Sequence, residues 1–294
     1  MKILIYGAGV IGSIYAVTLS SAGYDVTVYA RGNRLTALES KSLLYNVNGI
    51  VKKASVSVIS KLSSEDVYDY VFVTVRYDQI ETALSELRTN NSPNIVTMVN
   101  NPSGYNVWES LLGPGRLIPA FAGGGGRIEN DILYYALTPG VIQPTTFGEV
   151  DGTITDREKA LSRIFKSCKI PYKISKNMDA WQKSHLALVI PLANGIYFDG
   201  GDNYSTAKNK QAVRMICHAL RKSFSALRAS GIPITPSRLN VFRICPMWIM
   251  NISLRFFCGT KLAATLVSHV HSIKGEMALL ECEFADLIRS KQSG

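Results

Sequence analysis

The sequence predicts an α/β protein, a doubly wound parallel sheet followed by an all-helical C-terminal domain. Three observations carry that expectation. The first 31 residues run strand, glycine-rich turn, helix and strand. Short apolar runs then alternate with helical stretches as far as residue 176, the pattern of a parallel sheet with crossover helices. Beyond that point apolar residues recur at helical spacing, with almost no strict alternation. The expected domains are residues 1–176 and 177–294, each long enough to bury its own core.

The elements follow in order. Lys2 to Tyr6 is a short apolar run of the kind a buried parallel strand takes. It leads into Gly7-Ala8-Gly9-Val10-Ile11-Gly12, after which Ser13 to Ala22 reads as a helix and Tyr24 to Tyr29 as a second strand. In that context the glycine spacing is a Rossmann-type dinucleotide signature. Gly7 permits the tight turn, Gly9 lets the backbone approach a pyrophosphate, and Gly12 lets helix and strand pack closely. The helix start offers N–H groups and a positive dipole end to the phosphates. The whole stretch Gly7, Ala8, Gly9, Val10, Ile11 and Gly12 is the expected phosphate cradle.

The end of the second strand selects the coenzyme. An NAD site usually has Asp or Glu there for the ribose 2′-hydroxyl. This chain reads Ala30-Arg31-Gly32-Asn33-Arg34, with no carboxylate. A guanidinium suits a 2′-phosphate bidentately, so the residues point to NADP(H) over NAD(H). Arg31 is nearer the strand end than Arg34, and the choice between them stays open.

Val51 to Ser60 alternates weakly, as a strand would. Tyr70 to Val75 is a stronger strand, ending at Arg76-Tyr77-Asp78-Gln79, and Ile80 to Leu87 reads as a helix. Asn94 to Val99 is the next strand, followed by Asn100-Asn101-Pro102-Ser103-Gly104. Leu117 to Phe121 precedes Gly123 to Gly126, by composition a flexible loop. Tyr134 to Leu137 and Gln143 to Phe147 read as late strands, Asp156 to Ser167 as a helix and Pro171 to Ser175 as a last strand. Ligands of such sheets sit at the carboxyl ends of the strands, where Arg76, Asn100 and Gly123 all fall. Arg76 is expected to assist at the coenzyme, and Asn100 to lie near nicotinamide and substrate.

Helices are expected over Asp179 to Tyr197, Thr206 to Ser230 and Leu262 to Ser290, with Gly231-Ile232-Pro233 closing the second. The apolar stretch from Phe242 to Phe257 is open to three readings, closing the pocket, a dimer contact or filling the helical core, with core the commonest place for any one residue. The longest apolar segments, such as Leu186 to Tyr197, are too short or interrupted to span a bilayer, and no signal peptide is expected; the cytoplasm is the default. Five scattered cysteines without CxxC pairs suggest reduced core fillers. The net charge of +10 is dispersed, which suits steering of anionic ligands better than nucleic-acid binding. His269 and His271, two apart on a helix, diverge, so no metal site is expected. Neither a Gly-x-Ser-x-Gly elbow nor a Walker lysine motif occurs.

The residues at the domain joint narrow the choice. The chain resembles the ketopantoate reductase family, in its opening Lys-Ile-Leu-Ile-Tyr-Gly-Ala-Gly-Val-Ile-Gly-Ser and in Thr97-Met98-Val99-Asn100-Asn101, where the family reads Thr-x-Gln-Asn-Gly. Gly148-Glu149 fits a late turn of the family, and Trp181-Gln182-Lys183 its Trp-x-Lys. The likeness is strong to about Lys183 and looser afterwards. It implies that Arg31 holds the 2′-phosphate, and that Val75-Arg76-Tyr77-Asp78-Gln79 falls where the family has a lysine shortly before a glutamine, near the coenzyme. It also implies that Lys183 donates the proton when the ketone of a 2-oxo acid is reduced, in an active site between the domains. The chemistry is sound: an ammonium stabilises the oxyanion formed by hydride delivery and then protonates it.

The chain also departs from the family. Ala187 and Pro191 stand where the family has asparagines. Asn194 returns to the face of Lys183, but about 16 Å further along an ideal helix, and reads as local structure. His185 points away from Lys183 and reads as packing. The family's late glutamate lies in a run absent here; Glu276 is the best substitute, to orient the lysine or bind substrate, and a solvated helix carboxylate is an equal reading of it. The expectation is thus an NADP(H)-dependent reductase of a small anionic 2-oxo acid, with a homodimer one option for an oligomeric state the sequence leaves open. Its rivals are a non-catalytic NADP(H) sensor or partner-binding protein, and an enzyme working in the oxidative direction.

Overall fold

The computed structural model describes residues 1–261, 263–264 and 274–292, so His269 and His271 lie outside the described residues. The chain divides into two compact units, one of residues 1–99 and 105–178, the other of residues 100–104 and 179–294. The loop 100–104, which the sequence leaves inside the first domain, thus groups with the helical half.

In the first unit, β1 (Lys2–Tyr6) is an interior strand of an eight-stranded sheet. It pairs in parallel with β2 (Asp25–Tyr29) on one side and β6 (Tyr70–Val73) on the other. The sheet continues outward through β5 (Ser57–Ile59) beyond β2, and through β7 (Ile95–Thr97) and β8 (Leu117–Phe121) beyond β6. It closes with β11 (Thr145–Phe147), antiparallel to β8, and β12 (Tyr172–Ile174). The chain leaves β1 in one direction and later returns to build the other, so the order of strands reverses between β1 and β6. That reversal opens a crevice at the carboxyl ends of the strands, where such sheets take ligands. Four or more apolar residues in a row suit β1 and β6 because both their faces are buried.

Helices α1 (Val10–Ser21), α2 (Gly32–Lys41), α3 (Ile80–Leu87), α4 (Asn106–Leu112) and α5 (Asp156–Ser167) complete this unit. Around α1 the core is aromatic: Tyr15 stacks on Phe72 and meets Phe165 edge-on, with centroids 6.0 and 6.3 Å away. The Thr155 hydroxyl caps α5 by accepting from the Glu158 N–H at 3.2 Å.

Two expectations need correction here. Val51 to Ser60 is not one strand: its first residues belong to β4 (Ile50–Lys53) and its last to β5, which lie in different sheets. The four glycines are not a flexible loop. They lead into β9 (Gly124–Glu129), which pairs with β10 (Ile132–Leu137) in a separate sheet ordered β4-β3-β10-β9, where β3 is Leu44–Val47. A Cβ at Gly126 would stand 2.2 Å from the Tyr134 carbonyl oxygen, and one at Gly123 2.2 Å from the Thr145 nitrogen. Close backbone approach, rather than mobility, is what these glycines permit.

The described part of the second unit is helical. It comprises α6 (Met178–Phe198), α7 (Asn203–Lys208), α8 (Lys210–Ala229), α9 (Val241–Ile244), α10 (Met247–Cys258) and α11 (Lys274–Gln292). Helix α8 buries Val213, Ile216, Cys217, Leu220, Phe224 and Leu227, a stripe at spacings of one to four residues facing one way. The stretch from Phe242 to Phe257 fills the core only in part. Met250, Leu254 and Cys258 are buried, but Trp248, Ile252 and Phe256 are largely exposed. Both sets recur every four residues, so α10 is apolar on an inner and an outer face, and composition alone conceals which is which. Among the described residues no single helix is long and apolar enough to cross a membrane.

Candidate active site

The loop after β1 is shaped by its glycines. Gly7 adopts φ +112°, a conformation side chains disfavour, and its N–H donates to the Tyr29 carbonyl at 3.2 Å. The Thr74 hydroxyl donates to the Gly7 carbonyl at 2.8 Å, tying the loop to the strand across the reversal. A Cβ at Gly12 would lie 1.9 Å from that same carbonyl oxygen and 2.5 Å from the Thr74 hydroxyl. At Gly9 a Cβ would meet only open space among the described residues. Gly9 stands at the N-terminus of α1 in extended backbone, so the helix begins facing that space. Backbone N–H groups at a helix start, with room directly in front, fit a pyrophosphate.

The two arginines after β2 have different duties. Arg34 turns back onto the loop: its Nε donates to the Ala8 carbonyl at 3.0 Å and its Nη2 to the Ser13 hydroxyl at 3.3 Å. Burial lowers its pKa from the ordinary arginine value. Arg31 instead stays half exposed, lies 5.7 Å over the Tyr29 ring, and sets Nη1 3.3 Å from Glu86 Oε1. Arg76 closes a bidentate fork on Asp78, at 3.0 and 2.8 Å, just past β6. Glu86 is a neighbour the sequence reading missed, because it comes from α3.

In the second unit, Lys183 lies in the second turn of α6 with its side chain 9% exposed. Its Nζ donates to both carboxylate oxygens of Asp179, at 2.7 and 2.6 Å. A buried ammonium without a counter-charge would be strongly disfavoured, and Asp179 one turn earlier supplies it. This partner was also missed, although the spacing of four on a helix was a readable signal. The loop 100–104 stands against the same carboxylate: a Cβ at Gly104, which has φ +85°, would be 3.4 Å from Asp179 Oδ1. Asn101 shapes that loop, its amide donating to the Gly104 carbonyl at 2.8 Å while its Oδ1 accepts from the Ser103 and Gly104 N–H groups. The neighbouring Asn100 Oδ1 is buried with no hydrogen-bond partner among the described residues. An orphaned acceptor of this kind is uncommon and marks a place where a donor is wanted.

The remaining candidates fall as follows. Trp181 and His185, four apart, stack with centroids 5.3 Å apart and planes at 6°. Burial pushes the imidazole down to about 3, so it is neutral at physiological pH. Ala187 is fully buried, and α6 runs through Pro191 without ending. Asn194 donates to Glu281 at 2.8 Å, a helix-to-helix link. Glu276 is buried in the first turn of α11. Glu149 accepts from Arg157 at a buried turn braced by Gly148, whose Cβ would be 2.1 Å from the Ser175 carbonyl oxygen. Burial raises the thiols of Cys168, Cys258 and Cys217, the last to about 11, so these three are poor nucleophiles. Among the described residues no group of three His, Cys, Asp or Glu is placed to hold a metal ion.

Comparison with known proteins bears on this arrangement. The family model described as "Ketopantoate reductase PanE/ApbA" matches residues 3–151. A 2-dehydropantoate 2-reductase of Mesorhizobium japonicum is 27% identical over 207 residues, covering 62% of this chain and 63% of that protein. The chain thus matches less than two thirds of that relative's length. Two solved structures share the fold across nearly the whole of both chains. A 2-dehydropantoate 2-reductase from Porphyromonas gingivalis superposes with a TM-score of 0.67 at 14% identity, covering 98% of this chain and 99% of its own. D-mandelate dehydrogenase with NADH and anilino(oxo)acetate superposes at 0.70 and 13% identity, covering 100% and 98%.

Proposed function

Since the chain belongs to the ketopantoate reductase PanE/ApbA family, we propose that it is an NADPH-dependent reductase of a small 2-oxo acid. The observation that carries this reading is the Lys183–Asp179 pair, grouped with a loop whose Asn100 has a buried, unsatisfied carbonyl oxygen. A buried ammonium in the same unit as a buried acceptor without a donor is poorly explained by packing alone. It is well suited to a carbonyl substrate that is charged in one place and becomes a hydroxyl in another.

In this reading Gly7 to Gly12 and the start of α1 bind the pyrophosphate, and Arg31 grips the 2′-phosphate. Arg34 is committed to bracing the loop, which leaves Arg31 as the arginine free to take a ligand. Arg76 stands at the next strand end, its charge offset by Asp78. The bound coenzyme supplies the hydride that reduces C2 of the 2-oxo acid. Lys183 stabilises the negative charge that grows on the carbonyl oxygen and gives that oxygen its proton, so a 2-hydroxy acid results. Asp179 holds the ammonium in place. Asn100 accepts a hydrogen bond at the reacting end, and Glu276 is a second carboxylate for positioning. The net charge of +10 favours both anionic ligands.

NADPH oxidation in the presence of a panel of 2-oxo acids tests the reading, with Lys183→Met as the paired variant. The expected result is turnover of at least one acid by the native chain and a loss of about a thousandfold in kcat in the variant, with NADPH affinity nearly unchanged. Binding of NADPH without oxidation of any acid would leave a coenzyme sensor instead.

A further inference from the structure

The second strand ends without a carboxylate of its own, yet the fold delivers one to that point. Tyr6 and Tyr29 are the last residues of β1 and β2 and face each other in register. Both rings are buried and stack with centroids 4.5 Å apart. The Tyr6 hydroxyl donates to Glu86 Oε2, while Glu86 Oε1 meets Arg31 Nη1 at 3.3 Å. Arg31 in turn lies over Tyr29. A rigid pair of rings, a phenol and a guanidinium therefore hold one carboxylate beside the first residues past β2. Burial and the charge of Glu86 keep the Tyr6 phenol protonated, so the phenol remains a donor at physiological pH. The side chains of Arg31 and Glu86 are 54% and 41% exposed, which leaves both open to a ligand.

We propose that Glu86 and Arg31 form a coenzyme-discriminating pair, in which Glu86 accepts the ribose 2′-hydroxyl of NADH and Arg31 takes the 2′-phosphate of NADPH. The proposal rests on the reading of loop 7–12 as a nicotinamide-coenzyme site. A ribose hydroxyl is a donor and needs an acceptor, which the carboxylate supplies in a charge-assisted bond. A 2′-phosphate is an anion and needs the guanidinium, whose fork has donors to spare beyond the single long contact with Glu86. With NADPH bound, the same carboxylate repels the phosphate, a penalty reduced but not removed by solvent at this exposure. Glu86 therefore narrows the preference for NADPH that an arginine alone would confer. It occupies in space the place that an Asp or Glu at the strand end fills in sequence.

Titration of the full chain with NADPH and with NADH, followed by coenzyme fluorescence, tests the proposal through the ratio of the two dissociation constants. In the native chain the two constants are expected within about tenfold of each other, and a gap beyond about a hundredfold would overturn it. Glu86→Gln is expected to weaken NADH about fivefold and to leave NADPH equal or up to about twofold tighter, moving the ratio about five- to tenfold toward NADPH. Arg31→Gln is expected to move the same ratio about tenfold the other way. A ratio that stays within about twofold in Glu86→Gln, or an equal loss of both coenzymes, contradicts the proposal. If the native chain takes up neither coenzyme, the proposed function itself fails. If it binds NADPH while the ratio ignores Glu86, only the discriminating role fails.

Discussion

The loop after β1 and the opening turns of α6 build their parts of the proposed site from different materials. In the loop the working groups are backbone N–H groups, and the side chains that matter are the ones left out. Gly12 is there because a Cβ would strike the Gly7 carbonyl, and Gly9 because the space before the helix must stay empty. In α6 the working group is one side chain, Lys183, and its behaviour depends on what surrounds it: Asp179 at 2.6 Å and the loop from Asn100 to Gly104. A backbone site is written into local spacing. A side-chain site is completed by tertiary neighbours.

After Lys183→Met, the largest effect that separates the two is expected at Gly12. Gly12→Ala forces backbone apart at the loop, so NADPH affinity falls by about a hundredfold and the protein loses about 1–3 kcal/mol of stability, measured by coenzyme titration and thermal melting. Next comes Asp179→Asn, which leaves the buried ammonium without its counter-charge. Turnover is expected to drop by about thirtyfold while NADPH affinity stays put; an equal fall in coenzyme binding would erase the distinction between the two sites. Gly9→Ala sharpens the first result. Its Cβ meets open space and its φ of −71° suits any residue, so the melting temperature holds while NADPH weakens by about tenfold.

The smallest effect concerns acid stability. Burial holds His185 down to about 3 when folded, against an ordinary value of 6.5 when unfolded. Below about pH 6.5 the unfolded chain binds a proton that the folded one refuses. Stability from this group is therefore full above that pH and falls as the pH drops toward 3, by up to ~1.4 kcal/mol per unit. His185→Phe, which keeps a ring against Trp181, is expected to flatten that slope in denaturant unfolding measured from pH 7 to pH 5.

The same contrast explains what the sequence made legible. The strand, glycine turn and helix at residues 2–21 follow from spacing, because each glycine answers a steric demand set within a few residues. Helices α6 and α8 were readable from their apolar periodicity. The small sheet β4-β3-β10-β9 was not, since Gly123 to Gly126 reads as a loop until β10 is seen lying against it. Trp248, Ile252 and Phe256 misled in the other direction, because an exposed apolar face has the composition of a core. Glu86 stood outside the local view, 55 residues from the arginine it meets. Asp179 was within reach, since a carboxylate four residues before a lysine on a helix is a pairing signal.

The most direct measurement follows the hydride itself. With NADPH deuterated at the transferring face of nicotinamide C4 and a 2-oxo acid that the protein turns over, the account predicts a 2-hydroxy acid bearing one deuterium at C2, formed about a thousandfold more slowly by Lys183→Met. A product without deuterium, or labelled product made equally well by the variant, would contradict it.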